Sequence, residues 1–137
     1  AGIEYGDDPD TTAEHAIGAA IGDYYFITDW PTELRAFYTQ AYDDDPALCK
    51  AFDLMHPRME LASGAQREHR YEKLVKNLEA KDLNPDSFTF YLDAFRYGMP
   101  PHAGWGLGAD RLVQTMLGLN NIREAVLFPR DRVRLTP

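Results

Sequence analysis

The sequence predicts an α+β fold, with a largely antiparallel sheet and flanking helices, for one domain spanning residues 1–137. Short β-rich segments follow one another in the first half with only turns between them, whereas helical periodicity dominates later. Strands grouped in this way are typical of antiparallel sheets with helices at one side. With 45% hydrophobic and 12% aromatic residues, the 137-residue chain has enough apolar side chains for one core.

The first half predicts one helix and four strands. Thr11 and Glu14 have capping-box spacing, and apolar residues at helical spacing follow, which predicts a helix over 11–21. The strands are predicted from aromatic, apolar and β-branched runs: 24–28, 37–41, 52–55 and 58–62. Asp29-Trp30-Pro31 is expected to end the first strand, and the acidic run 43–46 predicts an exposed turn.

The second half predicts three helices and a last strand. Apolar residues at helical spacing predict a helix over 66–81. Asn84 and Pro85 have the pattern of a helix start, and Gly98 is expected to stop that helix. A third helix is expected to begin at 109–110 and to end at Gly118, and a short apolar strand is predicted over 125–128.

Composition limits the class of protein. A net charge of −8 without a basic run makes the chain a poor candidate for a surface that follows nucleic-acid phosphates. It has one cysteine, Cys49, which predicts no intrachain disulfide and is expected to be a buried thiol rather than a nucleophile. No apolar run approaches the ~20 residues of a membrane span, and no signal peptide is apparent, so we expect a soluble, cytoplasmic protein.

The glycine run that ends in an arginine is the most informative motif. Glycines at 104, 106 and 108 predict a strand with one bare side, which leaves an open slot that a flat ligand can approach. Arg111 follows in the first turn of a helix, where a guanidinium suits a planar base or a phosphate. The spacing matches neither a P-loop nor a dinucleotide-binding fingerprint. On spacing alone, a glycine-rich structural strand with a solvated Arg111 explains the run equally well.

This run, from Gly104 to Arg111, is similar to motif 3 of class II aminoacyl-tRNA synthetases, with Asp110 where the family usually has Glu. Further segments resemble archaeal-type aspartyl-tRNA synthetases, and the resemblance extends from about residue 25 to 137. These segments are Phe52-Asp53-Leu54, Glu60-Leu61-Ala62-Ser63-Gly64-Ala65-Gln66-Arg67-Glu68-His69, Tyr97-Gly98-Met99-Pro100-Pro101-His102, Asn121-Ile122-Arg123-Glu124 and Phe128-Pro129-Arg130-Asp131.

The resemblance implies an activity and its ATP contacts. In such enzymes the carboxylate of aspartate attacks the α-phosphorus of ATP, pyrophosphate leaves, and the aspartyl group passes to the 3′-terminal adenosine of tRNA. Arg111 matches the arginine that contacts the adenine and the γ-phosphate region of ATP. The residues before it, Gly108, Ala109 and Asp110, match further ATP contacts. Glu60 matches a glutamate that holds Mg²⁺ against the ATP phosphates.

The resemblance also implies the contacts with aspartate. Ser63 matches a second Mg²⁺ contact close to the substrate aspartate. Glu60 and Ser63 must then face one site, which we attribute to a break at Ser63-Gly64. Arg67 matches the arginine that pairs with the side-chain carboxylate of aspartate, and His102 matches a histidine near that pocket. Arg111, Glu60 and Arg67 are therefore the predicted catalytic residues.

The resemblance further implies what lies outside the chain. Complete enzymes of this type are expected to carry an N-terminal anticodon-binding barrel, a motif 1 that forms a homodimer, and a motif 2 whose arginine holds the α-phosphate. None of these is found in the sequence. We therefore expect the chain to be the C-terminal segment of a catalytic domain, inactive or nearly so alone, with tRNA bound mainly by other parts.

Several alternatives remain open at the level of sequence. Arg67 is also explained by pairing with Glu68 or Glu72 on a helix end, and His102 by a structural role in a proline-rich loop. Asp53 suits either the pocket or the cap of a strand. As functions, an asparagine–tRNA ligase, a synthetase paralog that makes asparagine, and a non-catalytic module that binds ATP or a partner protein compete with the aspartate ligase.

Overall fold

The computed structural model describes residue 4 and residues 6–136, and its centre is one antiparallel sheet. The sheet has four strands in the order β1-β2-β3-β4. Their bounds are Tyr25–Pro31 for β1, Leu48–His56 for β2, Met59–Gln66 for β3 and Ala103–Leu107 for β4. Every neighbouring pair is antiparallel, so the α+β fold is confirmed. Across residues 4 and 6–136, none of the helices has the length and apolar character that a membrane crossing requires.

A bulge between β1 and β2 turns Trp30 toward the core. Thr28 pairs with Phe52 but Trp30 pairs with Cys49, and the intervening Asp29 has a φ of 59°. Because a bulge shifts the alternation by one residue, Ile27 and Trp30 share a face although they are three residues apart. The prediction that Asp29-Trp30-Pro31 ends the strand is wrong, because the bulge lets β1 continue to Pro31.

A second bulge lies in β3. Leu54 pairs with Ala62 and the next residue, Met55, pairs with Glu60, so Leu61 has no partner on β2. Paired residues of an antiparallel sheet point to the same side, and Asp53 pairs with Ser63. Glu60 and Ser63 therefore lie on one face. The predicted break at Ser63-Gly64 is wrong, since β3 runs unbroken to Gln66 and the reversal occurs at Leu61.

The helices differ from the predictions mainly in where they begin and end. They are α1 over Thr11–Ile21, α2 over Tyr71–Ala80, α3 over Thr89–Arg96 and α4 over Ala109–Met116. Asp10, not Thr11, caps α1, because its side chain accepts from the Ala13 amide. The helix predicted over 66–81 begins later because its first residue still belongs to β3. Asn84 caps a 3₁₀ turn that leads into α3, as expected, and Gly98 and Gly118 follow helix ends with positive φ.

Two predicted strands are wrong. Residues 37–41 form only isolated bridges, Thr39 with Arg67 and Ala41 with Cys49, because the segment crosses strand ends instead of pairing along one strand. Residues 125–128 are not a strand either, since Ile122–Ala125 is a 3₁₀ turn capped by the side chain of Asn121. The apolar residues of the second segment are largely exposed, with Leu127 at 84%.

The buried apolar residues form two clusters. One lies on the sheet face that carries Asp53 and contains Trp30, Cys49, Ala51 and Ala65. The other joins α2 to α3 and receives aromatic rings from the segment between β1 and β2; its buried members are Leu74, Leu78, Leu92 and Phe95. The two clusters hold the end of β3 and residues 35–41 between them, and the predicted site residue Arg67 lies there.

Candidate active site

The sheet face that carries Asp53 and Ser63, called here the site face, has a floor of small residues. Across β2, β3 and β4 its rows are Asp53-Ser63-Gly106 and Ala51-Ala65-Gly104. A Cβ atom built on Gly106 meets no atom within 4 Å, so the predicted open slot exists at this position. Gly108 lies beyond β4 and begins α4, so only two of the three glycines belong to the strand.

Arg67 lies at the end of β3 over this floor. Its guanidinium stacks 4.5 Å from the centre of the Tyr38 ring and covers Gly104, where an added Cβ would lie 2.9 Å from Nη2. It lines a cavity of about 210 Å³ together with Ser63. Among the described residues, no carboxylate lies within 4 Å of the Arg67 guanidinium. The arginine thus faces a small cavity, and no carboxylate of the described part of the chain compensates its charge.

The alternative partners of Arg67 are engaged elsewhere or absent. Glu68 is buried and accepts from Nε and Nη2 of Arg70 at 2.7 and 2.8 Å. Glu72 is exposed on the first turn of α2 and forms no ion pair within the described chain. The interpretation of Arg67 as half of a surface ion pair is therefore wrong.

Arg111 and Glu60 meet at the other end of the site face. Nη1 of Arg111 donates to the carbonyl oxygen of Glu60 at 2.9 Å and to its Oε1 at 3.1 Å. Gly108 makes room for Arg111, since a Cβ at position 108 would lie 3.2 Å from the Cδ atom of Arg111. Both residues line a cavity of about 520 Å³, and Gln114 and Asn121 line it too. The Glu60 carboxylate is half-exposed and pairs with Arg111 through Oε1. Its other oxygen remains available to a ligand.

The donor set fits a magnesium ion that arrives with phosphates rather than a closed metal cage. Glu60 and Ser63 share the site face through the Leu61 bulge, and Oδ1 of Asp53 is buried and finds no hydrogen-bond partner in the described part of the chain. No group of three or more histidine, cysteine or acidic residues in the described chain is placed to bind a metal. Mg²⁺ takes few protein ligands and prefers hard oxygens, so one or two carboxylates beside a phosphate chain suffice.

The remaining predicted residues lie near the site without filling it. The carbonyl of His102 accepts from the Arg67 amide at 2.9 Å, whereas its ring contacts the Pro100 carbonyl and packs near Phe95. His102 does not line the cavity of Arg67. Ala109 and Asp110 are exposed in the first turn of α4, where the helix dipole stabilises the carboxylate of Asp110.

Two side chains that the sequence interpretation missed belong to the site. Arg35 lines the cavity of Arg67 and also a second one, of about 280 Å³, with Asp53 and Glu60. Glu14 on α1 lines the cavities on the Glu60 side, and burial, followed by the carboxylates of Glu60 and Asp8, raises its pKa. Neither belongs to a motif, and both reach the site only through tertiary packing.

Two features set aside at the sequence level, a cysteine and an acidic run, are confirmed as structural. Cys49 is fully buried, and burial raises the pKa of its thiol, as expected for an inert core residue. The acidic run at 43–46 is an exposed bend, as predicted, in which Asp43 pairs with Arg70 and Lys73.

A family model described as tRNA synthetases class II (D, K and N) matches residues 4–132. The chain belongs to this family. An aspartate–tRNA(Asp/Asn) ligase of Methanospirillum hungatei is 64% identical over 135 residues, which is 98% of this chain and 31% of the relative. This class II synthetase chain thus spans about a third of the length of the curated relatives it matches.

Solved synthetases share the fold. An aspartyl-tRNA synthetase from Entamoeba histolytica superposes with a TM-score of 0.94 at 38% identity, covering 100% of this chain and 29% of that one. An asparaginyl-tRNA synthetase from Pyrococcus horikoshii, complexed with asparaginyl-adenylate, gives a TM-score of 0.92 at 37% identity, with 100% and 32% coverage. The sheet and helices of the chain are therefore those of class II synthetase catalytic domains.

Proposed function

We propose that the chain supplies part of the active site of an aspartate–tRNA ligase, which joins aspartate to tRNA through aspartyl-adenylate. The observation that carries this proposal is the uncompensated Arg67 in a cavity of about 210 Å³. A half-buried guanidinium fixed over Tyr38 is suited to bind a carboxylate through two parallel hydrogen bonds. The curated relatives at 59–65% identity are named aspartate–tRNA(Asp/Asn) ligases, which supports the same substrate.

On the ATP side, the chain provides an open floor and a cation. Gly106 leaves the sheet surface bare, and Arg111 begins α4 beside it, so a planar base can lie on the strand close to a guanidinium. Glu60 and Ser63 would hold Mg²⁺, with Asp53 supplying a further free oxygen. When bound, Mg²⁺ neutralises phosphate charge. The residues of the chain would bind and orient the substrates and exclude water. The rate of the reaction is raised mainly by this positioning.

The activity needs more than this chain. The only arginines among the described residues that line the cavities of the site face are Arg35, Arg67 and Arg111, and two of them are paired with carboxylates. A group that compensates charge developing on the α-phosphate would have to come from the remaining two-thirds of the enzyme. We propose that these parts also provide most contacts with tRNA and a homodimer interface, and that the enzyme works in the cytoplasm.

A chimera tests the function. The chain replaces the matching residues of the Methanospirillum hungatei ligase, and aspartate-dependent ATP–pyrophosphate exchange is measured, followed by charging of tRNA. The chimera should be active and the 137-residue chain alone inactive or nearly so. Arg67→Met should raise the KM for aspartate about a hundredfold, since it removes a charge-assisted pair. A chimera that retains normal exchange with Arg67→Met would contradict the proposed role of this cavity.

Asparagine is the second candidate substrate, favoured by the structural likeness to asparaginyl-tRNA synthetases. The same chimera separates the two, because an amide side chain carries no charge to pair with Arg67. If exchange is supported by asparagine better than by aspartate, the aspartate proposal fails. If the chimera folds and binds ATP but neither amino acid supports exchange, the non-catalytic module is the better description.

A further inference from the structure

Arg35 connects the two halves of the site face. It follows the 3₁₀ turn Thr32–Leu34, and its guanidinium pairs with Oδ2 of Asp53 and lies 3.5 Å from Oγ of Ser63. We propose that Arg35 is a positioning and specificity residue: it holds Asp53 and cancels its charge, so that the cavity of Arg67 accepts a side-chain carboxylate. This inference rests on the proposed function.

Trp30 fixes the plane of the Arg35 guanidinium. The central carbon of that group lies 3.9 Å from the centre of the Trp30 ring, and Trp30 is buried. A guanidinium stacked on an aromatic face loses most of its freedom to rotate out of the stack. The bulge at Asp29 turns this ring to the site face, so the position of Arg35 depends on the local shape of β1.

Asp53 depends on Arg35. The Asp53 side chain is 6% exposed, and its Oδ1 has no hydrogen-bond partner among the described residues. Burying a carboxylate without a counter-ion is unfavourable, and Arg35 is the cation that pairs with it. Because Arg35 occupies Oδ2, Oδ1 is the oxygen left for the cavity that Asp53 shares with Glu60.

The charges of the site explain why this pair matters for the amino acid. Arg35 lines the same cavity as Arg67, and Asp53 pairs across the sheet with Ser63, which lines it too. While Arg35 and Asp53 cancel each other, the charge of Arg67 is what an entering side chain meets. Without Arg35, the buried negative charge of Asp53 lies beside the cavity and opposes a carboxylate, whereas a neutral amide is affected much less.

The same guanidinium orients the hydroxyl group of Ser63. A guanidinium can only donate hydrogen bonds, so Oγ of Ser63 is the acceptor in its long contact with Arg35. The Ser63 hydroxyl proton is therefore directed away from Arg35 and can be donated to a ligand in the cavity. Arg35 thus acts through two neighbours and needs no contact with the substrate itself.

The test measures dissociation constants of two non-reacting adenylate analogues, aspartyl and asparaginyl sulfamoyl adenosine, for variants of the chimeric ligase. Arg35→Met should weaken the aspartyl analogue about tenfold more than the asparaginyl one, the size expected for one charge interaction at a partly buried site. Arg35→Lys should keep most of the preference. In the double variant with Asp53→Asn, the preference should return, because no unpaired charge remains.

Matched controls make the outcome decisive. Arg96→Met removes an arginine that also lies over an aromatic ring, Tyr71, and pairs with Asp93, but lies on α3 outside the cavities of the site face. It should change neither constant. Equal loss of both analogues in Arg35→Met overturns the inference, and so does an Arg35→Lys variant that folds but loses the preference for the aspartyl analogue. An unsubstituted chimera without preference for the aspartyl analogue instead overturns the proposed function.

Discussion

At the scale of single residues, the three glycines of the run 104–108 have different tasks. Gly104 leaves room for the Arg67 guanidinium, and Gly106 leaves a bare surface. Gly108 lies at the start of α4 against the side chain of Arg111. The run is therefore not one uniform slot but three separate clearances, two of which place arginines.

Gly104→Ala should displace Arg67 with little loss of stability, because the clash is with the end of a flexible side chain. A Cβ would lie 2.9 Å from Nη2 and 3.1 Å from Nε of Arg67. In the chimeric ligase the KM for aspartate should rise about tenfold, consistent with a misplaced bidentate contact. Gly106→Ala is the matched control, because a Cβ added at Gly106 has no described atom within 4 Å and does not touch Arg67. If both alanines leave the KM for aspartate unchanged, Gly104 does not place the arginine.

What the sequence could and could not predict is clearest for these residues. Glu60, Ser63, Arg67 and Arg111 were found through their resemblance to a family, and the structure places all four on one face. Arg35 was missed because its partners Trp30, Asp53 and Ser63 come from three strands, and no local spacing indicates such a meeting. The cavity is therefore partly visible in the sequence, while its internal charge balance emerges only from packing.

At the scale of elements, α1 is joined to the β2–β3 turn by a close backbone approach. A Cβ on Gly18 would lie 2.1 Å from the carbonyl oxygen of Pro57. His15 contacts the Arg58 carbonyl at 3.1 Å on the same side. This contact keeps Glu14 near Glu60, so the helix belongs to the site although no motif lies in it.

Gly18→Ala should destabilise the chain despite the better helix propensity of alanine. Propensity favours alanine by about 1 kcal/mol, but overpacking against a rigid backbone costs about 1–3 kcal/mol, and the clash here is severe. Urea unfolding should therefore give a lower midpoint. Ala19→Gly, at an exposed position of the same helix, should cost only the propensity difference. A Gly18→Ala chain as stable as the original would show that α1 is free to move away.

Glu68 should make the stability of the chain depend on acid. Burial alone would raise its pKa, but hydrogen bonds from the side chain and amide of Arg70 outweigh this and lower the pKa below the usual 4.5. A carboxyl group with a lowered pKa in the folded state stabilises above its unfolded pKa, and this contribution disappears as the pH falls through the folded pKa.

Glu68→Gln tests this dependence. At pH 7 the variant should lose about 2 kcal/mol, because a buried charge-assisted pair is removed. Below pH 4.5 the difference from the original chain should shrink, as followed by urea unfolding at several pH values. Glu72→Gln, an exposed neighbour, should change neither the stability nor its pH dependence. A constant difference at all pH values would mean that the loss is one of packing and not of ionisation.

At the scale of the whole molecule, the two faces of the sheet differ in kind. The site face combines the polar groups of the site with apolar residues that are buried, among them Trp30 and Cys49, whereas the opposite face carries exposed apolar side chains, among them Phe26, Trp105 and Leu107. Phe26 and Phe52 form an edge-to-face pair at 5.9 Å there. Gly64 is closely covered by Phe52 and Trp105 on this side. Such a surface favours association in water.

The 137-residue chain should therefore self-associate as its concentration rises. Sedimentation should show a reversible increase in mass, which the double substitution Phe26→Ser with Trp105→Ser reduces. Phe90→Ser is a suitable control, because Phe90 is even more exposed than Phe26 and Trp105 but belongs to α3. If the chain sediments as a monomer at all concentrations, the apolar face is compatible with water as it stands.

The class of fold was predicted correctly from the sequence, whereas two of the predicted strands do not form. The segments 37–41 and 125–128 have strand-like composition, but the first only bridges strand ends and the second follows a 3₁₀ turn. Local composition cannot distinguish a chain that pairs along a strand from one that crosses it. The bulges at Asp29 and Leu61 are equally invisible to periodicity, although each decides which side chains share a face.

The bulge at Leu61 makes the pairing register of β3 a functional quantity. If β3 instead paired regularly with β2 through Leu61, Glu60 would turn to the apolar face while Ser63, Arg67 and the pairing with β4 stayed in place. The chain would keep its fold and every predicted site residue, yet the ATP end would lose its carboxylate. In this strand the register carries information that the identities of the side chains do not, and a change that removes the bulge without shortening the strand is more damaging than most substitutions.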